Sequence, residues 1–469
     1  MFQLINNILL DFRNCFKRLA TWKWFVILVT GFMVRNDHRG VTSVISSLRL
    51  RPELYNTALH FFRSTGYKVG DLYEKWVKIV VKNVELVRIA ERVVVLGDHI
   101  KVSKEGRRMP WIQKLHQESQ NSGKPTFIEG NIFGQVSAIQ TNGTVSRSLP
   151  LKTQLQASPP RVEGTKKPDG DTLVTQMVNL VYEVAKSIGE PVVVALDAYF
   201  SNAPAWFAAD KTITPNGEKL VEIVTRAQSN TVAFTVPVKP GVKKPGRPRI
   251  YGDRVALYDL FSNMSKFTQT TLMLYGKPTK VQYRCIDLIW KPVKRLVRFV
   301  AVDLDGRRCV LMSTSLKLTA EEIITIYAFR FKIETSFAEQ KNDIGSFAYH
   351  FWTMALPKRK KWKKVELPTV PKLQKKIEAT KQATESFVCL CTIATGILSI
   401  IAFSHSCDIW KRYPGWIRTL RSTIPTIAIV KVTLANDIHG FLDQLLYLPV
   451  FATIKSKMRK VEFLFENVA

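Results

Sequence analysis

Acidic residues are scarce in this chain: 38 of 469, against 69 lysines and arginines, leaving a formal net charge of +31. Self-repulsion of that size opposes compaction unless an anionic partner neutralises it, so nucleic acid is the leading partner, ahead of an anionic membrane surface. Cysteine is sparse too. The six present (Cys15, Cys285, Cys309, Cys389, Cys391, Cys407) form no CxxC pair and no Cys/His cluster at zinc-ligand spacing, which argues for reduced thiols in a cytoplasmic protein. No P-loop occurs, so no ATP requirement is expected, and no histidine stands with a Ser or Cys in a nucleophilic arrangement. The N-terminus lacks the charged-then-apolar pattern of a secretory signal. Long apolar runs are few: residues 24–34 are too short to span a bilayer, and residues 387–403 are marginal and interrupted by Thr392, Thr395, Gly396 and Ser399. Both read as buried core helices, and no membrane partner is expected.

What the chain does have is 46% hydrophobic residues, enough for real cores, and a clear change of period along its length. Residues 1–85 carry apolar side chains at three- and four-residue spacing among Arg and Lys, a basic helical region that either recognises DNA ends or merely caps the core of the fold. From Arg92 the pattern turns to strands: 92–102, 127–140 and 145–154, the last two separated by Asn142-Gly143, a tight-turn signal. An amphipathic helix over 171–188, capped by Asp169-Gly-Asp and ended by Gly189, then leads to the apolar strand Pro191-Val-Val-Val-Ala-Leu-Asp197. Three antiparallel strands, a crossover helix and a further strand resemble the RNase H-like layout. The expected fold is therefore α/β, a mixed sheet with helices on both faces. Residues 88–235 and 318–403 form its core, 236–317 a β-rich insertion, and 404–469 a C-terminal helical region. Residues 356–383 are Pro- and Lys-rich and read as a loose connection.

Asp98 and Asp197 each lie in or at the end of an apolar strand, where an ionised carboxylate is costly unless a cation compensates it. A divalent metal held through oxygen is one solution, and a carboxylate capping the next turn is the ordinary alternative. Thr319 followed by Glu322 makes a capping box that opens a long helix expected to run to Asp343 and stop before Gly345. On it Tyr327, Arg330, Glu334 and Lys341 fall at i, i+3, i+7 and i+14, on one face, with Ile326, Ile333 and Phe337 opposite.

The spacing Tyr-(2)-Arg-(3)-Glu-(6)-Lys resembles the signature of bacterial insertion-sequence transposases of the DDE superfamily. The context is similar as well: Val-Leu-Gly-Asp98-His-Ile-Lys-Val followed by Gly106-Arg-Arg-Met-Pro, and Leu-Asp197-Ala-Tyr-Phe. The resemblance runs over about residues 6–403. It implies a DNA transposase in which Asp98, Asp197 and Glu334 hold two Mg²⁺ ions, with Mn²⁺ as a substitute. Those ions would activate water for in-line attack on a phosphodiester and stabilise the leaving 3′ oxygen. The freed 3′-OH would then attack target DNA. Expected partners are double-stranded DNA, both the terminal inverted repeats and the target, and a second copy of the chain in a bacterial, nucleoid-associated setting. Tyr327, Arg330 and Lys341 are assigned to phosphates near the cut. Arg107 and Arg108 either do the same or form a solvated loop.

Three further candidates stand beside these. Trp290 either stacks on an extruded base or belongs to the core. Lys244-Pro-Gly-Arg-Pro-Arg249 resembles an AT-hook, through which Arg247 and Arg249 would enter a narrow minor groove, or is an ordinary basic loop. The segment from Lys358 to Lys364 has six basic residues of seven, and Lys360 and Lys361 are expected to contact phosphates. Three other readings stay open: a metal-dependent nuclease that never joins strands, a DNA-binding derivative without catalysis, and a membrane-associated basic protein using residues 387–403.

Overall fold

Apolar strands buried on both faces build the centre of the molecule. A computed structural model of the chain describes residues 1–117, 123, 125–157, 172–214, 216–237, 249–363, 365–418 and 423–459. Its strands are β1 (Arg88–Ile89), β2 (Arg92–Ser103), β3 (Gln113–His116), β4 (Phe127–Thr141), β5 (Ser146–Gln156), β6 (Val192–Leu196) and β7 (Val221–Arg226) in the first half. The second half adds β8 (Val232–Phe234), β9 (Arg254–Ala256), β10 (Thr268–Leu274), β11 (Lys277–Trp290), β12 (Arg295–Leu304) and β13 (Arg307–Ser313). All thirteen join one sheet, in the order β3-β4-β2-β6-β7-β13-β12-β11-β8-β9, with β5 on β4, β1 on β2 and β10 on β11.

The RNase H-like arrangement is the run β5-β4-β2-β6-β7. Strands β2, β4 and β5 are antiparallel, and β6 joins β2, and β7 joins β6, in parallel. Asn142 shapes the β4–β5 turn by accepting hydrogen bonds from the N–H groups of Thr144 and Val145, and Gly143 takes a φ of +83° that other residues resist. The β-rich block does not stand apart: β13 pairs antiparallel with β7 and carries the sheet on into β12 and β11.

Helices cover both faces. In chain order they are α1 (Phe2–Asp11), α2 (Leu19–Val34), α3 (Val41–Ser47), α4 (Tyr55–Phe61), α5 (Val69–Asn83), α6 (Leu173–Ile188), α7 (Ala203–Asp210), α8 (Ala320–Ala328), α9 (Lys332–Ala338), α10 (Pro371–Ser404), α11 (Ser406–Arg412), α12 (Ile427–Phe441) and α13 (Pro449–Lys455). The crossover helix α6 starts from a Thr172 cap and ends at Gly189 with φ +82°; the expected Asp169–Asp171 cap lies outside the described residues. Val93 and Val95 of β2, with Val192, Val194 and Leu196 of β6, point into the larger core, which also holds α2, α5, α6 and α10. Val94, Leu96, Val193 and Ala195 point the other way, into the core under α8.

The N-terminal helices share that larger core. Tyr73 and Trp76 of α5 donate to the carbonyls of Thr153 and Pro150 on β5, at 2.6 and 3.0 Å. The indole of Trp76 also explains Gly396, because a Cβ there would sit 2.1 Å from the ring. That glycine interrupts the apolar run of α10 so that a tryptophan can pass. α10 is long and apolar enough to cross a membrane, yet 94% of its most apolar window is buried inside the protein. It also begins at Pro371, so the second half of the expected loose connection is helical. Proline at the first helical position loses no hydrogen bond.

Candidate active site

Register places the two aspartates. β2 and β6 run parallel with Val93 beside Val192 and Leu96 beside Ala195, an offset of 99 residues. The same offset separates Asp98 from Asp197, so the two occupy adjacent positions where β6 ends and β2 continues. Alternation puts Asp98 on the face of Val94 and Leu96, and Asp197 on that of Val193 and Ala195. Both carboxylates therefore emerge at the open end of the face that α8 covers.

Each has one oxygen held by the next backbone N–H: Asp98 accepts from the N–H of His99 at 2.7 Å within β2, and Asp197 from the N–H of Ala198 at 2.6 Å, capping the turn Ala198–Phe200. The carbonyl of Asp197 is held by the hydroxyl of Thr225 on β7, at 2.7 Å. Burial pushes the Asp98 carboxyl up to about 6; the His99 N–H and Arg330 act against that, and Asp197 and Glu334 add to it. The His99 ring accompanies the pair, packed on Phe200 at 5.3 Å and bonded to Gln156 at 2.6 Å, with burial holding it down to about 4. It stays neutral and joins the two acidic motifs. The sequence suggests only an ordinary hydrogen-bonding role for His99, since a lone histidine beside an aspartate carries no spacing signal, and its bond to Gln156 is of that kind.

The expected single helix is broken. The capping box forms, with Thr319 and Glu322 each bonded to the other's backbone N–H, but α8 ends at Ala328 and α9 starts at Lys332. A π-helical segment, Glu339–Ile344, then replaces the last turns and stops at Gly345, φ +70°. Two interruptions defeat a phase argument made over fourteen residues, because each shifts the angle of everything beyond it. Tyr327, Arg330 and Glu334 still converge. Arg330, only 17% exposed, donates to Asp98 at 3.2 Å and to Glu334 at 2.7 Å, bridging strand and helix. Tyr327 is half-buried beside it, its hydroxyl raised to about 12 by burial. Lys341, in the π segment, is exposed and among the described contacts reaches none of the three carboxylates.

A glutamine docks the helix. Gln135 of β4 lies directly across from Asp98, is fully buried, and donates to Ser336 of α9 at 3.0 Å. Its oxygen accepts from Thr153 at 3.1 Å and from Gln340. This latch sets where Glu334 sits relative to Asp98, and nothing in the sequence marks it out from other glutamines. At the far end Arg35, just past the end of α2 and wholly buried, donates to the carbonyls of Ile344 and Gly345, satisfying acceptors that a helix end leaves open.

The other candidates fall elsewhere. Trp290 is a core side chain, 5% exposed and edge-on to Trp206 at 5.3 Å, so its ring has no open face for a base. Arg108 is engaged with its own chain, donating to the carbonyls of Met354 and Leu356 at 3.1 and 3.0 Å, while Arg107 is exposed. Within the run 358–364, Lys360 and Lys361 are exposed, but Arg359 is buried and paired with Glu129. Arg249 is exposed, and Arg247 lies outside the described residues.

The donor set suits a hard divalent cation: three carboxylates, of which Asp98 is destabilised by burial. In the geometry seen, no three of His, Cys, Asp or Glu among the described residues close around a single ion. The guanidinium of Arg330 stands between Asp98 and Glu334, supplying the positive charge that the carboxylates call for.

The mixed sheet thus carries two register-matched aspartates at its open end, faced by a helix-borne glutamate. The chain belongs to the DDE superfamily endonucleases, whose family model matches residues 11–276, more than half of its length. It is thus of a nuclease family with DNA as substrate, and nucleases of this kind generally use divalent metals. The match covers Asp98 and Asp197 and stops before Glu334, whose place rests on its contact with Arg330 and on the docking of α9. Among solved structures the chain is similar to the NurA nuclease from Sulfolobus solfataricus, at 10% identity and a TM-score of 0.22, over 60% of this chain and 83% of that one. No curated protein matches.

Proposed function

We propose that this chain is a DNA transposase, which cuts at the ends of an insertion element and joins the resulting 3′-OH ends to target DNA. The observation that carries the reading is Arg330: one side chain of the Tyr327–Arg330–Glu334 signature contacts two of the three carboxylates. Asp98, Asp197 and Glu334 would hold two Mg²⁺ ions, which supply Lewis acidity at the scissile phosphate. Asp98, within β2, and Asp197, just past β6, each have one oxygen held by a backbone N–H, and the second oxygen of Asp98 is held by Arg330. Glu334 approaches from α9, and Arg330, once released from the carboxylates, offers its fork to a phosphate. Tyr327 stays protonated near neutrality and can donate to a phosphate oxygen.

Cutting and joining need only one such site, since the 3′-OH left by the first step is the nucleophile of the second. Two ends must be held together for this, so a second copy of the chain is part of the proposal. Lys360, Lys361, Arg107 and Arg249 are placed as sequence-independent phosphate contacts because they are exposed. The test is joining: a labelled duplex taken from the DNA that borders this gene, with its 3′ end already exposed, is mixed with plasmid, protein and Mg²⁺. Covalent transfer of label to plasmid supports a transposase. Cutting of uncut borders without any transfer would leave the chain a nuclease alone.

A further inference from the structure

Two adjoining cavities open beyond the last residue of β2, of about 670 Å³ and about 580 Å³. Trp352 and His350 line both, so the two adjoin at these side chains and are taken together as one groove. Its walls mix charge with aromatic surface. Arg39, Arg63 and Lys376 line the first cavity, Arg107 and Lys358 the second, against a single carboxylate, Glu105. Trp352 is 56% exposed, and Tyr55 and Met354 are exposed beside it.

The segment that carries Trp352 is pinned. Arg108 holds the carbonyls of Met354 and Leu356, and its own carbonyl accepts from the N–H of Thr353. On the other side Lys104 donates to the carbonyls of Phe347 and Tyr349, and Tyr349 bonds Asn131 at 2.7 Å. An indole presented on backbone fixed from both sides loses little entropy on binding. The second cavity reaches toward the carboxylates: Ser103, which lines it, is five positions along β2 from Asp98, which at a strand's rise is about 17 Å.

We propose that this groove holds single-stranded DNA beside the cut, with Trp352 and Tyr55 stacking on unpaired bases and the surrounding arginines and lysines on the phosphates. Aromatic faces interleaved with cations suit unpaired bases, whose π-faces a duplex keeps hidden. The assignment deepens the DNA-cleaving reading of Asp98 and its partners and rests on it, but binding can be measured without cutting.

The experiment uses the full chain carrying Asp98→Asn, in EDTA, with anisotropy of a labelled oligothymidylate and of a duplex of equal length. Trp352→Ala is expected to weaken the single strand by about tenfold and the duplex by less than about twofold. Trp352→Phe should restore most of the loss, and Arg63→Glu with Lys376→Glu should flatten the salt dependence of single-strand binding. Unchanged single-strand affinity in Trp352→Ala, equal losses for strand and duplex, or tighter binding of an oligouridylate through the same residues would each overturn the proposal. Metal-dependent cutting by the wild type is read separately: cutting without groove binding would sink only the groove, and groove binding without cutting only the nuclease reading.

Discussion

The two halves of the candidate site are built by different means. Asp98 and Asp197 sit on paired strands whose register leaves one arrangement, since slipping by a residue would turn each side chain to the opposite face. Glu334 sits on a seven-residue helix between a break at 329–331 and a π segment, with its side chain 45% exposed. Its position depends on Gln135, Ser336 and the Arg330 bridge. The strand half is therefore fixed by the fold, and the helix half by a few polar contacts. Glu334 is thus the carboxylate least constrained by the fold, and Arg330 is held by both it and Asp98.

The largest expected effect tests the fixed half. Asp98→Asn and Asp197→Asn should each lower DNA cleavage on the order of 10³-fold in a plasmid-nicking assay, with unfolding midpoints little changed, because Asn keeps the hydrogen bond from the adjacent N–H. Glu334→Gln should cost less, on the order of 10²-fold, since an adjustable side chain is more easily replaced. Losses equal to those of the aspartates would erase the contrast between the halves.

The polar latch gives a stability test. Gln135→Leu leaves Ser336, Thr153 and Gln340 with unmet buried groups, and should lower unfolding free energy by about 1–3 kcal/mol in urea titrations. If cleavage falls no further than stability explains, the latch does not position Glu334. Glu339 sharpens the same region through pH. Burial raises its carboxyl to about 7, opposed by Arg147, with Asp343 adding to the rise. A carboxyl raised on folding binds more protons in the native state, so its contribution to stability is greatest below the unfolded value and declines as pH climbs from about 4.5 to about 7. Glu339→Gln should remove that decline, a difference of up to roughly 3 kcal/mol at pH 8. Parallel stability-against-pH curves for the two proteins would contradict it.

The smallest effect belongs to the surface. Charge reversal at Lys360 and Lys361 should weaken DNA binding severalfold at low salt and less as salt rises, because counterion release is lost. Unchanged affinity at every salt concentration would remove them from the DNA contacts.

What was legible in the sequence divides along the same line. The unbroken β-branched apolar runs Val93–Leu96 and Val192–Leu196 announced buried strands, and the 99-residue separation of the aspartates is the register itself. The Asn142-Gly143 turn and the Thr319–Glu322 box formed as their local chemistry dictates. The helix break at 329–331 was not visible, because none of Phe329, Arg330 and Phe331 is a breaker and tertiary packing overrode their propensity. Gln135, Arg35 and Trp352 were missed for a related reason: each matters through neighbours brought from more than a hundred residues away, and no local spacing encodes that. Trp290 and Arg108 show the reverse, residues of a suggestive type that packing and backbone carbonyls claim first.

The central claim is that Asp98, with its partners, makes this chain a metal-dependent DNA-cutting enzyme. Its most direct test is cleavage of a plasmid carrying the DNA that borders this gene, by the wild type and by Asp98→Asn, in Mg²⁺ and in EDTA. Cutting by the wild type in Mg²⁺ alone is the predicted result; equal cutting by both proteins, or cutting undiminished in EDTA, would contradict it.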